Sequence, residues 1–163
     1  PQTRPNVVII VDPWTMHAEA LATAVRRVNG SYTAWTAGDG RTAQALANCS
    51  DVVSVYIAHH LADVPPLTLV HSLRVMKPNC RLVLGLATVD AINTRAAIDA
   101  GATAVVGPRV PLGVAVGYLT GRAPTLRRTT EGSDASQADR QHRGRVAGLT
   151  HLFRRGPHGS EHP

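Results

Sequence analysis

Few side chains in this sequence are of types that do chemistry, and their spacing limits what that chemistry could be. Asp12 follows the apolar run Asn6–Val11 (NVVIIV) and stands directly before Pro13-Trp14. A carboxylate there can cap a following helix or belong to an acidic pocket, and both readings stand open. By itself it is a poor Mg²⁺ site, because that ion gives up its waters reluctantly. His59 and His60 follow the run Asp51–Ile57 (DVVSVYI), with His71 further on. Adjacent histidines in a strand-end loop diverge, and no H-x₃-H or C-x₂-C spacing accompanies them. They read as solvated loop side chains that could sense pH but need not. Cys49 and Cys80 are the two cysteines. They are too few for a disulfide framework or a cysteine-only zinc site, and read as small core or boundary residues. Gly38-Asp39-Gly40 reads as a turn, lacking both the length and the Lys-Ser/Thr pair of a phosphate loop. No metal and no cofactor is expected.

The elements that must position these residues follow from composition and pattern. The chain has 163 residues, 44% of them hydrophobic and 17% charged, with 4% aromatic. That length fits one domain with a real core plus an appendage. With aromatics so scarce, the core must come from Val, Leu, Ile and Ala. No run approaches the roughly 18 apolar residues of a membrane span, and the opening residues lack a signal-peptide layout. A cytoplasmic location and no membrane partner are the expectation.

Five apolar bursts read as strands: Asn6–Val11, Tyr32–Thr36, Asp51–Ile57, Arg81–Leu86 and Thr103–Val106. Four of them are β-branched-rich or continuously apolar, as strands buried on both faces must be. Helical spacing lies between them. Leu21, Ala24, Val25 and Val28 form one stripe that stops before Gly30. Asp39 can cap a helix carrying Ala43, Leu46 and Ala47. Pro65 and Pro66 can open a helix through Leu69, Leu73 and Met76. Asp90 can cap Ala91–Ala100, with Gly101 as its stop. Leu112, Ala115, Val116 and Leu119 mark a last helix, weakened by Gly113 and Gly117. Strand and helix thus alternate five times, which predicts a five-stranded doubly wound parallel α/β sheet of flavodoxin-like type. Residues 1–5 read as a leader, 6–121 as the domain and 122–163 as a basic, disordered tail.

Ligands of such sheets sit beyond the carboxyl ends of the strands. The runs there, DVVSVYI, RLVLGLATVD and AAIDAGATAVVGP, resemble the response-regulator receiver domain across residues 6–121. The most specific piece is Ala97–Val106 (AIDAGATAVV), similar to that family's passage from fourth helix to fifth strand. The resemblance implies a pocket that phosphorylates an aspartate at the end of the third strand, with Mg²⁺, a hydroxyl and a lysine in support. The matching positions depart from it. The acidic pair is reduced to Asp12, the phosphoacceptor position falls on Tyr56, the hydroxyl position on Leu86 with Thr88 two residues on, and the lysine position near Pro108. A tyrosine with an ordinary pKa near 10 offers no anionic nucleophile at neutral pH. Tyr56 could fill or gate the vacated pocket, or stand as a half-buried aromatic with its hydroxyl in water.

The same resemblance implies a dimer face on the last helix. PLGVAVGYLTG is apolar and uncharged, so Leu112, Ala115, Val116 and Leu119 are the expected interface. The formal charge of +6 invites a nucleic-acid reading, but it is unevenly placed. Residues 122–163 hold eight arginines against four acids, while the first 121 hold nine basic residues against seven acids. Many relatives of the LuxR/NarL-like group carry a helix-turn-helix domain after such a linker. Gly148-Leu149-Thr150 is similar to its opening, but the match stops there, so DNA binding would need a missing or partial output domain.

The leading expectation is an atypical receiver, not an enzyme. It would work in signal transduction or transcription regulation through a homodimer or a protein partner. The alternatives are a small-molecule-binding flavodoxin-like domain, with Asp12, His59, His60 and Thr88 as contacts, and a DNA-binding regulator acting through its tail.

Overall fold

The computed structural model describes residues 5–28 and 30–123. These lie within the first of two units, Pro1–Arg128. The expected leader and tail, including Leu149 and Thr150, fall outside the described residues, apart from Pro5, Arg122 and Ala123 at their inner ends.

Ten elements alternate along the chain: β1 (Asn6–Val11), α1 (Thr15–Arg26), β2 (Tyr32–Ala37), α2 (Gly40–Cys49), β3 (Val52–Ile57), α3 (Pro66–Met76), β4 (Arg81–Gly85), α4 (Ala91–Ala100), β5 (Ala104–Val106) and α5 (Leu112–Leu119). All neighbouring strands pair in parallel, in the order β2-β1-β3-β4-β5. This is the doubly wound flavodoxin-like fold that the alternation of bursts and stripes predicts. The chain moves outward from β1 to β2, then crosses back to β3 on the other side of β1. The strand order therefore reverses between β1 and β3, where a crevice must open.

The two faces of the sheet carry separate cores. Val8, Ile10, Tyr56, Val83 and Ala104 face α1 and α5. Ile9, Val11, Val55, Ile57, Leu82 and Leu84 face α2, α3 and α4. Leu21 and Val25 of α1 are fully buried, and each such side chain contributes about 1.5–3 kcal/mol.

Capping agrees with the sequence in detail. Asp39 accepts a hydrogen bond from the Thr42 amide at the head of α2, and Asp90 does the same for the Asn93 amide at the head of α4. Gly101 ends α4 at φ +111°, a left-handed conformation that L side chains avoid. A Cβ there would also stand 2.8 Å from Arg74 Cγ. The Arg74 guanidinium clasps the amino end of the sheet, donating to the carbonyls of Pro78, Cys80 and Gly101 and to Thr103 Oγ1.

Three expectations need correction. The apolar stripe marks only the second half of α1, which begins at Thr15. Cys80 is buried as expected, but Cys49 is exposed at the end of α2, so it is not a core residue. The third concerns the last helix. Ala115, Val116 and Leu119 point into the core beneath α5, at 3%, 7% and 0% exposure, so these side chains do not form an outer face. A helix of eight residues that must cover a sheet is apolar for that reason. Leu112 and Val114 are the α5 side chains left at the surface, at 38% and 39%.

Candidate functional site

The crevice at the β1/β3 switch point is a cavity of about 360 Å³. Four segments build it. The β1–α1 turn supplies Asp12, Pro13 and Trp14, and the first turn of α1 supplies His17. The end of β3 supplies Tyr56, followed by Ala58, His59 and His60. The β5–α5 connection and α5 close it with Val106, Gly107, Pro108, Val110, Leu112 and Ala115.

Asp12 is buried and fully engaged. Its Oδ1 accepts the Trp14 amide at 2.8 Å, which holds the turn into α1. Its Oδ2 lies 2.5 Å from His17 Nδ1, a pairing that leaves the other ring nitrogen free of Asp12. Asp12 therefore does not cap α1, whose N-cap is Trp14 without a side-chain cap; it is a loop carboxylate that holds the turn before the helix and lines the cavity.

Tyr56 is 8% exposed, so it is a core side chain rather than a half-buried one. Its ring lies across the mouth of β4, where Gly85 makes room for it. A Cβ at position 85 would stand 3.0 Å from the Tyr56 hydroxyl oxygen. The His17 ring packs at a tilt against Tyr56, with centroids 5.9 Å apart. Burial first, and then the negative charge of Asp12, push the Tyr56 phenol up to about 12. The phenol is therefore neutral at any physiological pH.

The structure brings Asp12, Tyr56 and Pro108 to one cavity and leaves Leu86 and Thr88 outside it. Those two line a neighbouring groove of about 310 Å³ with Pro65, Pro66, Leu67 and Asn93. His59 borders both spaces. Thr88 is exposed, and its carbonyl accepts a bond from the Asn93 side chain. Lys77, the sole lysine of the sequence, bonds the Ser50 carbonyl between β3 and the preceding helix. It is at the amino end of the strands and cannot serve this cavity. Among the described residues no group of three His, Cys, Asp or Glu side chains could hold a metal ion. His59, His60 and His71 are all exposed.

Sequence reasoning missed His17. Its signal was the start of α1: once Thr15 rather than Leu21 opens the helix, His17 falls on the first turn beside the Asp12 loop. Trp14, Ala58 and Val110 carried no chemical signature in the sequence, and only the fold gathers them.

No family model matches the sequence, and no curated protein does either. Solved structures do. One is a CheY-like response regulator receiver domain from Methanospirillum hungatei, 15% identical, covering 72% of this chain and 93% of that one at a TM-score of 0.64. A response regulator from Burkholderia pseudomallei, with a phosphorylated aspartic acid, calcium ion and citrate, is also 15% identical. It covers 88% of this chain and 75% of that one at 0.63. An orphan response regulator of H. pylori is 10% identical, covering 73% and 97%, also at 0.63.

The chain has the receiver fold. Identities this low establish the architecture and say nothing of the chemistry. Within that receiver fold the described carboxyl ends of the strands carry one buried carboxylate, bonded to an imidazole, and a neutral phenol.

Proposed function

We propose that this domain is an atypical receiver in signal transduction that is not phosphorylated on a conventional aspartate and acts through a protein partner or a second copy of itself. One observation carries the reading. The side chain at the end of β3 is the buried Tyr56 phenol, held neutral beside Asp12, the single buried carboxylate among the described residues. Aspartyl phosphorylation needs an ionised carboxylate as nucleophile and a Mg²⁺ ion held mainly by oxygen anions. The Burkholderia regulator has a phosphorylated aspartic acid; here Tyr56 stands at the end of the third strand, and Asp12 is already bonded on both oxygens.

Signalling without phosphoryl transfer must work by contact. The buried side of α5 is committed to the core, so the contact surface would use its exposed residues Leu112 and Val114 rather than Ala115, Val116 and Leu119. Control of transcription would then require an output domain.

Incubating the full chain with Mg²⁺ and acetyl phosphate, followed by intact-mass measurement, tests this. The expected result is no added phosphoryl group. A stoichiometric adduct that hydroxylamine removes would show an acyl phosphate and overturn the proposal.

A further inference from the structure

A buried tyrosine hydroxyl ordinarily finds a hydrogen-bond partner, because leaving it unpaired costs free energy. The Tyr56 hydroxyl has none among the described residues, although the side chain is only 8% exposed. A Cβ at Gly85 would stand 3.0 Å from this hydroxyl oxygen and 3.4 Å from the His59 amide nitrogen. The hydroxyl thus lies toward the connection after β3, where Ala58 and His59 line the switch-point cavity together with Tyr56 itself. An unpaired donor held at the wall of a hollow is a place for the polar atom of a ligand.

The remaining walls select the molecule that carries that atom. Val106, Pro108, Val110, Leu112 and Ala115 supply apolar surface. The volume of about 360 Å³ falls in the range of small-molecule pockets, which are mostly apolar with a few convergent polar groups. No Lys or Arg is among the lining residues. The charge of Asp12 is felt at the phenol, where it opposes ionisation. An anion accepting from the hydroxyl would meet that like charge with no lysine or arginine to offset it. Asp12 offers little to a cation, since it is buried and already accepts from the Trp14 amide on one oxygen and the His17 ring on the other. A neutral phenol donates well and accepts poorly. The ligand that fits is an uncharged acceptor with an apolar body.

We infer that this cavity binds a small uncharged molecule of largely apolar body, whose carbonyl-type oxygen accepts a hydrogen bond from the Tyr56 hydroxyl. The inference does not rest on the signalling role. Binding is scored at the cavity and phosphoryl transfer by mass, so either can fail without the other.

Acetophenone, α-methylstyrene, benzoate and benzamidinium share one shape, so they serve as matched probes. The second replaces the carbonyl oxygen of the first by a methylene group, and the last two add a charge of either sign. Each is titrated into the full chain at about pH 8, above the ordinary imidazole value of about 6.5. The amide chemical shifts of Ala58, Gly107 and Val110 are followed by NMR. Acetophenone is expected to give saturable shifts at these amides and to bind roughly threefold or more tighter than α-methylstyrene, although the latter is the more apolar. Benzoate and benzamidinium are expected to be weaker than acetophenone by roughly tenfold or more. Tyr56→Phe removes the hydroxyl and no hydrogen bond among the described residues, and should bring acetophenone to or below the unchanged affinity of α-methylstyrene. Should that variant fail to fold by circular dichroism, the comparison with α-methylstyrene in the unaltered chain decides alone. No saturable response, either ion binding as tightly as acetophenone, α-methylstyrene binding as tightly, or an acetophenone preference that survives Tyr56→Phe would each overturn the inference.

Discussion

Burial and the Asp12 carboxylate act on the Tyr56 phenol in the same direction, both opposing its ionisation. Its pKa of about 12 in the folded chain stands above the ordinary value near 10 that it regains on unfolding. The folded state therefore holds this proton more tightly, and stability falls as pH rises through the interval from about 10 to about 12. In an ultraviolet titration of the three tyrosines, one ionisation is expected to lag until the chain unfolds. Tyr56→Phe should remove the lagging step and lessen the alkaline loss of stability; a lag that persists in the variant would place it on Tyr32 or Tyr118. Gly85 belongs to the same feature, since a Cβ there would stand 3.0 Å from the hydroxyl and press the phenol out of place by a few tenths of an ångström. The sequence showed that position 56 is a tyrosine at a strand end. It could not show the burial, because that depends on the close approach of β4 and of His17.

At the scale of elements, local signals did most of the work. Asp39, Asp90, Pro66 and Gly101 mark helix boundaries that the structure reproduces, because caps and left-handed stops act over three or four residues. The head of α2 also has a partner that no local signal reveals. Asp63, from the connection after β3, accepts from the Gly40 and Arg41 amides at 3.0 and 2.9 Å. Those bonds, the one from Gly40 foremost, hold its carboxyl below the ordinary value. A lowered acid pKa gives stability that is present above about 3.8 and lost as pH falls through the folded value. Urea midpoints of the full chain and of Asp63→Asn should differ near neutral pH and converge in acid. A constant gap down to pH 3 would mean that the carboxylate charge is not the cause.

For the whole molecule, the decisive fact is which way α5 faces. Its run of apolar, uncharged residues reads in the sequence as an interface. In the fold, Leu119 is fully buried over the sheet while Leu112 is partly in solvent. Leu119→Ala should therefore cost about 2–5 kcal/mol through lost burial and the cavity left behind. Leu112→Ala should cost well under half of that by the same denaturation measurement. Equal losses would contradict this orientation of the helix.

The sequence by itself determined the element order, most caps and the parallel α/β class. Those depend on periodicity and on interactions a few residues apart. It also determined, through Tyr56, that the third strand does not end in a carboxylate. The tertiary structure decided the rest: that Asp12 meets His17, that Pro108 shares the cavity while Leu86 and Thr88 border another, and that α5 turns inward. Each of these depends on where separate crossovers return over the sheet, and one-dimensional spacing does not contain that distance.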